Sequence, residues 1–194
     1  MKYFESNSKA RRILLPASLL LFLFLSMLLI PHGASATIMQ YLEIEDLARL
    51  SSDVFEGTVV GAETRWNAQR DQIYTIVRIR VNETFKGGSK PSEIVTVTQA
   101  GGERDGIRMD YSGRPEFSAG ERVVLFTNRG KNNDYIVTGL KQGKLRVEGL
   151  EVKRDFSGVT LVARNGTSGN FRTIQMKSSS LPMDELRTRL SRTR

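Results

Sequence analysis

Apolar and polar residues alternate along most of this chain, and a period of two predicts strands. The clearest case is Tyr74 to Phe85, where Thr75, Val77, Ile79 and Val81 face one way and Arg78, Arg80 and Asn82 the other, the pattern of a half-buried strand. Val54 to Thr64 reads similarly, with Val54, Thr58 and Val60 on one face and Phe55, Gly57, Val59 and Gly61 on the other. Lys86-Gly87-Gly88 turns the chain into a third strand, Glu93 to Ala100. Arg122 to Thr127 does not alternate: the run Val123-Val124-Leu125-Phe126 predicts a central strand buried on both faces. Tyr135 to Leu140 and Lys144 to Val147 predict a pair joined at Gly143. Glu151 to Arg154 and Val159 to Arg164 predict another hairpin, and Asn165-Gly166 a turn before Phe171 to Met176.

The helical period occurs only near the ends. Leu42, Ile44, Leu47, Ala48 and Leu50 predict one apolar face, with Glu43, Glu45, Asp46 and Arg49 on the wet side. Pro182 suits the first turn of a second helix bearing Leu186 and Leu190, whose Arg187, Arg189, Arg192 and Arg194 read as a solvated face near a helix C-terminus. Between the third and fourth major strands, Gly101, Gly102, Gly106, Gly113 and Pro115 predict an irregular connection from Gly101 to Gly120. Many short strands with only terminal helices indicate a mainly β fold. The expected architecture is an antiparallel five-stranded barrel like the oligonucleotide/oligosaccharide-binding (OB) barrel, extended by C-terminal hairpins. The expected division is a leader at 1–36, a barrel domain at 37–180 and a basic helix at 181–194.

The leader is read from Lys2, Lys9, Arg11 and Arg12, an apolar run at 13–30, the helix breakers Pro31 and Gly33, and small residues at Ala34 and Ala36. That order is the layout of a secretory signal, with cleavage leaving Thr37 first. The alternative is an uncleaved single-pass anchor, because the apolar run is long for a signal core. Either way residues 37–194 are expected outside the cytoplasm, in the periplasm or the extracellular space.

Export sharpens what composition excludes. The chain has no cysteine, and its one histidine, His32, lies in the leader. The exported part therefore lacks a histidine base, a Ser-His or Cys nucleophile, a zinc knot and disulfides. No enzyme activity, cofactor or metal is expected. The formal net charge of +8 falls to about +5 once Lys2, Lys9, Arg11, Arg12 and Glu5 leave. A surplus of that size fits attraction to anionic envelope polymers better than nucleic acid, and no nucleic-acid partner is expected.

Three segments carry a resemblance: Ser52-Asp53-Val54-Phe55-Glu56-Gly57-Thr58-Val59-Val60, then Tyr74 running to Glu83-Thr84-Phe85-Lys86-Gly87, then Ser118-Ala119-Gly120-Glu121-Arg122-Val123-Val124-Leu125-Phe126. They resemble the barrel core of the netrin module and of the tissue inhibitors of metalloproteinases. The chain resembles more closely a set of exported bacterial proteins of unknown function, through Gly101-Gly102, Gly113-Arg114-Pro115-Glu116-Phe117 and Gly139-Leu140-Lys141-Gln142-Gly143-Lys144. The inhibitors chelate a protease zinc through the backbone of a freed N-terminal cysteine that disulfides hold in place. Here the resemblance implies Thr37 at that position, without the disulfides.

The candidate partner-binding residues are Thr37, Trp66, Arg104, Arg108 and Arg114. Trp66, the only tryptophan, ends a strand beside the polar loop from Asn67 to Asp71. In the 101–120 connection Glu103, Asp105, Asp110 and Glu116 alternate with the three arginines, which neutralise them and leave no matched catalytic or calcium-binding spacing. Lys141, Lys144, Arg146, Lys153 and Arg154 read as a solvated strand edge guarded by lysines. The expected function is a non-enzymatic exported barrel that binds a protein or envelope polymer. The alternative is an inhibitor or regulator of an exported metalloprotease acting through Thr37. Membrane contact is expected only through an uncleaved leader.

Overall fold

A computed structural model describes residues 37–164 and 170–193. The expected cleavage site at Ala34 and Ala36 and the Asn165-Gly166 turn lie outside the described residues. The chain is mainly β, in the order β1 (Thr37–Gln40), α1 (Ile44–Leu50), β2 (Asp53–Trp66), β3 (Ile73–Lys86), β4 (Ile94–Ala100), β5 (Gly102–Arg104), β6 (Ile107–Met109), β7 (Arg122–Arg129), β8 (Tyr135–Val137), a 3-10 turn (Leu140–Gly143), β9 (Lys144–Glu148), β10 (Glu151–Asp155), β11 (Val159–Arg164), β12 (Phe171–Ile174), β13 (Ser178–Pro182) and α2 (Met183–Ser191). Among the described residues no helix is long and apolar enough to cross a membrane.

The largest sheet runs β13-β10-β9-β7-β2-β3-β4-β8, and a second runs β1-β11-β12. β8 is paired on both sides. It lies antiparallel to β7 through Thr127↔Val137, Asn128↔Ile136 and Arg129↔Tyr135, and parallel to β4 through the single pair Val97↔Tyr135. β2 and β3 form the longest ladder, from Val54↔Lys86 to Trp66↔Ile73, with register shifts after Val54, Glu56 and Val59 that bend it. At Gly57 a Cβ would sit 2.5 Å from Ile79 Cγ2, so only glycine allows the two strands this close at the bend.

Alternation along the strands splits the apolar residues between two cores. On one side of β2 and β7, Val54, Val124 and Phe126 pack with Ile44, Leu47 and Ala48 of α1 and Met183, Leu186 and Leu190 of α2. On the other, Phe55, Val59, Val123 and Leu125 pack with Val77, Ile79 and Val81 of β3, Val95 and Val97 of β4, and Tyr135 and Val137 of β8. This is why the Val123-Val124-Leu125-Phe126 run does not alternate: all four are fully buried, two in each core. Two ion pairs fasten the outer helix. Arg189 grips both carboxylate oxygens of Glu45 on α1, at 2.6 and 2.7 Å, and Arg187 reaches Glu83 of β3 at 2.8 Å. The arginines expected as a solvated face are thus partly spent on α2 docking.

Three expectations about the later strands do not hold. Tyr135 to Leu140 does not pair with Lys144 to Val147, because the chain leaves β8 through positive φ at Gly139 and Leu140 and closes a 3-10 turn. That turn hands β9 to β7 and β10 instead. Glu151 to Arg154 and Val159 to Arg164 do not form a hairpin either: β10 lies between β9 and β13, and β11 joins β1 and β12. The third concerns the basic cluster, which is not a solvated edge, since the serine-rich β13 covers β10 in register from Glu151↔Pro182 to Asp155↔Ser178. Arg154 is buried, and the Lys144 ammonium lies 2.7 and 2.9 Å from the two carboxylate oxygens of Glu121, with both side chains almost sealed. Burial pushes the Lys144 ammonium down while Glu121 draws it back up. The two-oxygen contact is that of a charged pair.

Candidate binding groove

The 101–120 connection is more regular than its glycines suggest. Its first part is the hairpin β5–β6, paired Gly102↔Met109, Glu103↔Arg108 and Arg104↔Ile107, and turned by Asp105 at φ 54° and Gly106 at φ 75°. Positive φ at both central positions matches the strand twist, and Asp-Gly is the sequence signal for it. The hairpin lies directly on β2 and β3: a Cβ on Gly102 would meet Thr64 Cγ2 at 2.7 Å and Thr75 Oγ1 at 2.8 Å. Thr64 Oγ1 donates to the Glu103 carbonyl at 2.7 Å, and Thr75 Oγ1 to the Gly101 carbonyl at 2.7 Å.

This docking brings Asp105 to Trp66. The indole Nε1 donates to Asp105 Oδ2 at 2.8 Å, and Arg70 and Arg104 each stand 3.6 Å from the same carboxylate. The Arg70 guanidinium lies 6.0 Å from the Trp66 ring centroid, within cation–π reach. Arg104 also donates to the Thr64 carbonyl at 2.8 Å. The turn after Trp66 is knit by Asn67, whose side-chain oxygen accepts from the amides of Asp71 and Gln72 at 3.0 and 3.1 Å. Trp66 is therefore a half-buried ring in a fixed frame.

From Trp66 a groove of about 990 Å³ crosses the outer faces of β3 and β4 to the turn before β8. Its floor carries Tyr74, Ile76 and Arg78 from β3, Ile94, Thr96 and Thr98 from β4, and Ile136 from β8. Ile94 and Ile136 are 52 % and 51 % exposed, apolar groups held in water by strands whose alternate residues, Val95, Val97, Tyr135 and Val137, fill the inner core. The far rim is braced by Arg129, whose guanidinium lies 4.3 Å from the Tyr135 ring centroid and 3.4 Å from the buried carboxylate of Asp53. Burial, then the charge of Asp53, pushes the Tyr135 phenol up, so it stays neutral. Among the described residues the β4–β8 ladder holds one pair, so the outer edge of Ile94 to Thr96 lacks a strand partner.

Of the candidates from the sequence, Trp66 and Arg104 come together through Asp105, and Arg108 lies on the same hairpin. The other two do not join them. Thr37 is held in β1, opposite Val159 of β11. Arg114 donates to Thr75 Oγ1 at 3.2 Å, beside the start of the hairpin, and lines a different cleft. Sequence reasoning missed Ile94, Ile136 and Arg129, because pattern alone does not tell which face of β4 and β8 other strands cover. Among the described residues no group of three histidine, cysteine, aspartate or glutamate side chains could hold a metal ion. A scan against protein-family models finds no match for this chain, and a search of the curated proteins finds none either.

Proposed function

We propose that this protein is an exported, non-enzymatic binding module built on an OB-like barrel, and that it takes an extended segment of a protein or envelope polymer along the Trp66 groove. The pairing circuit β2-β3-β4-β8-β7-β2 supports the barrel reading, since each strand is hydrogen-bonded to the next and β7 returns to β2. In such barrels the face of the second and third strands, flanked by the loops after the first and fourth, is the usual place for a chain-like ligand. Those loops here are residues 67–72 and 130–134.

The observation that carries the reading is the groove itself: two exposed isoleucines and a framed tryptophan beside an unpaired stretch of strand. An extended partner can cover apolar side chains and satisfy a free strand edge together. Export rests on the leader pattern and on a chain whose exported part needs neither cysteine nor histidine.

The test is affinity capture from an envelope fraction and from purified cell-wall glycan, comparing the wild type with Ile136→Asp and Trp66→Ala. Retention of a protein or glycan by the wild type and its loss in both variants is expected. Equal retention by all three would move the function away from this groove.

A further inference from the structure

We propose that the outer face of the β1-β11-β12 sheet rests on an anionic lipid bilayer, a contact additional to any made by the leader. In-register partners share a face, so Ile38, opposite Thr160, and Phe171, opposite Arg164, project on the same side of the sheet as Val162 between them. Ile38 is 71 % exposed and Phe171 62 %, with Val162 half-buried. The other side packs on the body of the protein: Leu161 is buried, and Met39, Val159 and Leu140 converge on Gly113. Among the described residues β1 and β12 each pair only with β11, so both edges of the sheet are open. Large apolar side chains on a short, open-edged sheet are a liability in water unless something covers them.

Charge selects the cover. Glu5 and Glu43 bracket a stretch without acidic residues that contains β1, and Asp155 and Asp184 bracket another that contains β11 and β12. The second stretch holds Arg164, Arg172 and Lys177 and no other charged residue. All three are exposed, and among the described residues none forms an ion pair. The sheet is therefore apolar and cationic, while the 21 acidic residues of the chain all lie elsewhere. On an anionic bilayer the apolar side chains enter the headgroup boundary as the cations meet lipid phosphates, and binding grows with both. A second copy of this face would set cation against cation.

Chain order points the same way. The apolar run of the leader ends at Ile30 and β1 starts at Thr37, so the six residues between them form a tether of at most about 25 Å. A leader seated in the bilayer keeps this sheet close to its surface. The face is separate from the Trp66 groove, which takes none of its lining from β1, β11 or β12.

The chain contains no cysteine, so single cysteines can carry an environment-sensitive dye. Thr173→Cys puts the dye on the proposed face, opposite Val162, and Leu150→Cys, on the open β9–β10 turn, is the reference. The labelled full chain is reconstituted in vesicles of phosphatidylglycerol and phosphatidylethanolamine, and separately of phosphatidylcholine alone. On the anionic vesicles the dye at position 173 should be quenched by aqueous acrylamide about threefold less than the reference, with emission at shorter wavelength. Phe171→Ser, or Arg164→Glu with Arg172→Glu, should restore quenching; these exposed positions leave both cores intact. Equal quenching at the two positions on anionic vesicles would overturn the proposal. So would equal protection on phosphatidylcholine, protection that survives every variant, or protection in detergent without vesicles that grows with protein concentration, the mark of a second copy on this face.

Discussion

Trp66 and Asp105 meet through a 2.8 Å hydrogen bond that spans 39 positions of the chain and joins the end of β2 to the tip of the β5–β6 hairpin. The contact fixes both the rim of the groove and the segment that sequence pattern left irregular. The pair is partly exposed, so its net worth is modest, about 1 kcal/mol. Its orienting effect is larger than its energy. In Asp105→Ala the emission of the single tryptophan should move to longer wavelength as the indole is released to water, with little loss of melting temperature. An unchanged emission maximum would mean that other contacts hold the ring.

Acid should weaken the fold through Glu121 and Glu45. Burial alone would raise the Glu121 carboxyl, but the hydrogen bond and charge of Lys144, then Arg146, outweigh it and hold the group below its ordinary value. The Arg189 hydrogen bond does the same for Glu45. A carboxyl depressed in the folded state binds fewer protons there than in the unfolded chain. Its stabilisation is complete above the unfolded value, about 4.3, and is lost as pH falls through the lower folded value. Unfolding free energy should therefore drop below about pH 4, and Glu121→Gln should flatten that drop. The same change leaves Lys144 nearly buried without its carboxylate, a loss of about 3 kcal/mol at neutral pH, readable by urea titration.

Strand patterning made the inner half of the molecule legible and left the pairings of the outer half obscure. Thr75 to Val81 and the Val123 to Phe126 run reveal their faces, because burial on one side or both leaves a periodic trace. Ser178-Ser179-Ser180 leaves no such trace, yet β13 covers the edge of β10 in register from Glu151 to Asp155. Its contribution is backbone pairing, which any side chain permits. Thr37 to Gln40 was silent for the same reason. The Asp105-Gly106 turn was legible and was outweighed by the surrounding glycines. Of the groove, Trp66 was readable as an anchor beside a turn; Arg104 stands outside its lining, on the hairpin that frames Trp66. Ile94 and Ile136 were not readable, since whether an isoleucine on a strand faces core or water depends on which strands cover it.

Gly143 closes the 3-10 turn that redirects β8 into β9, and it has no room for a side chain. A Cβ there would stand 2.0 Å from the Thr138 carbonyl oxygen, a backbone atom that cannot swing aside. Gly143→Ala must open the turn or shift β8. A loss of more than about 3 kcal/mol is expected, beyond the range of an ordinary surface change. A variant with wild-type denaturation midpoint and an unaltered amide spectrum around Thr138 would show that the turn is looser than this geometry.

Leu186 and Leu150 contrast a leucine at the centre of the outer core with one on an open turn. Leu186 is fully buried among α1, β2, β7 and β10, whereas Leu150, at the β9–β10 turn, is 85 % exposed. Truncating Leu186 to alanine removes transfer energy and leaves a cavity, at a cost of about 2–5 kcal/mol depending on collapse. Truncating Leu150 should change stability by no more than about 0.5 kcal/mol. Hydrogen exchange adds a spatial readout. If α2 closes the outer core, Leu186→Ala should speed exchange at α1 amides as well as its own, because Leu47 loses a neighbour in the same cluster. Acceleration confined to α2 would show that α1 is held by β2 and β7 without it.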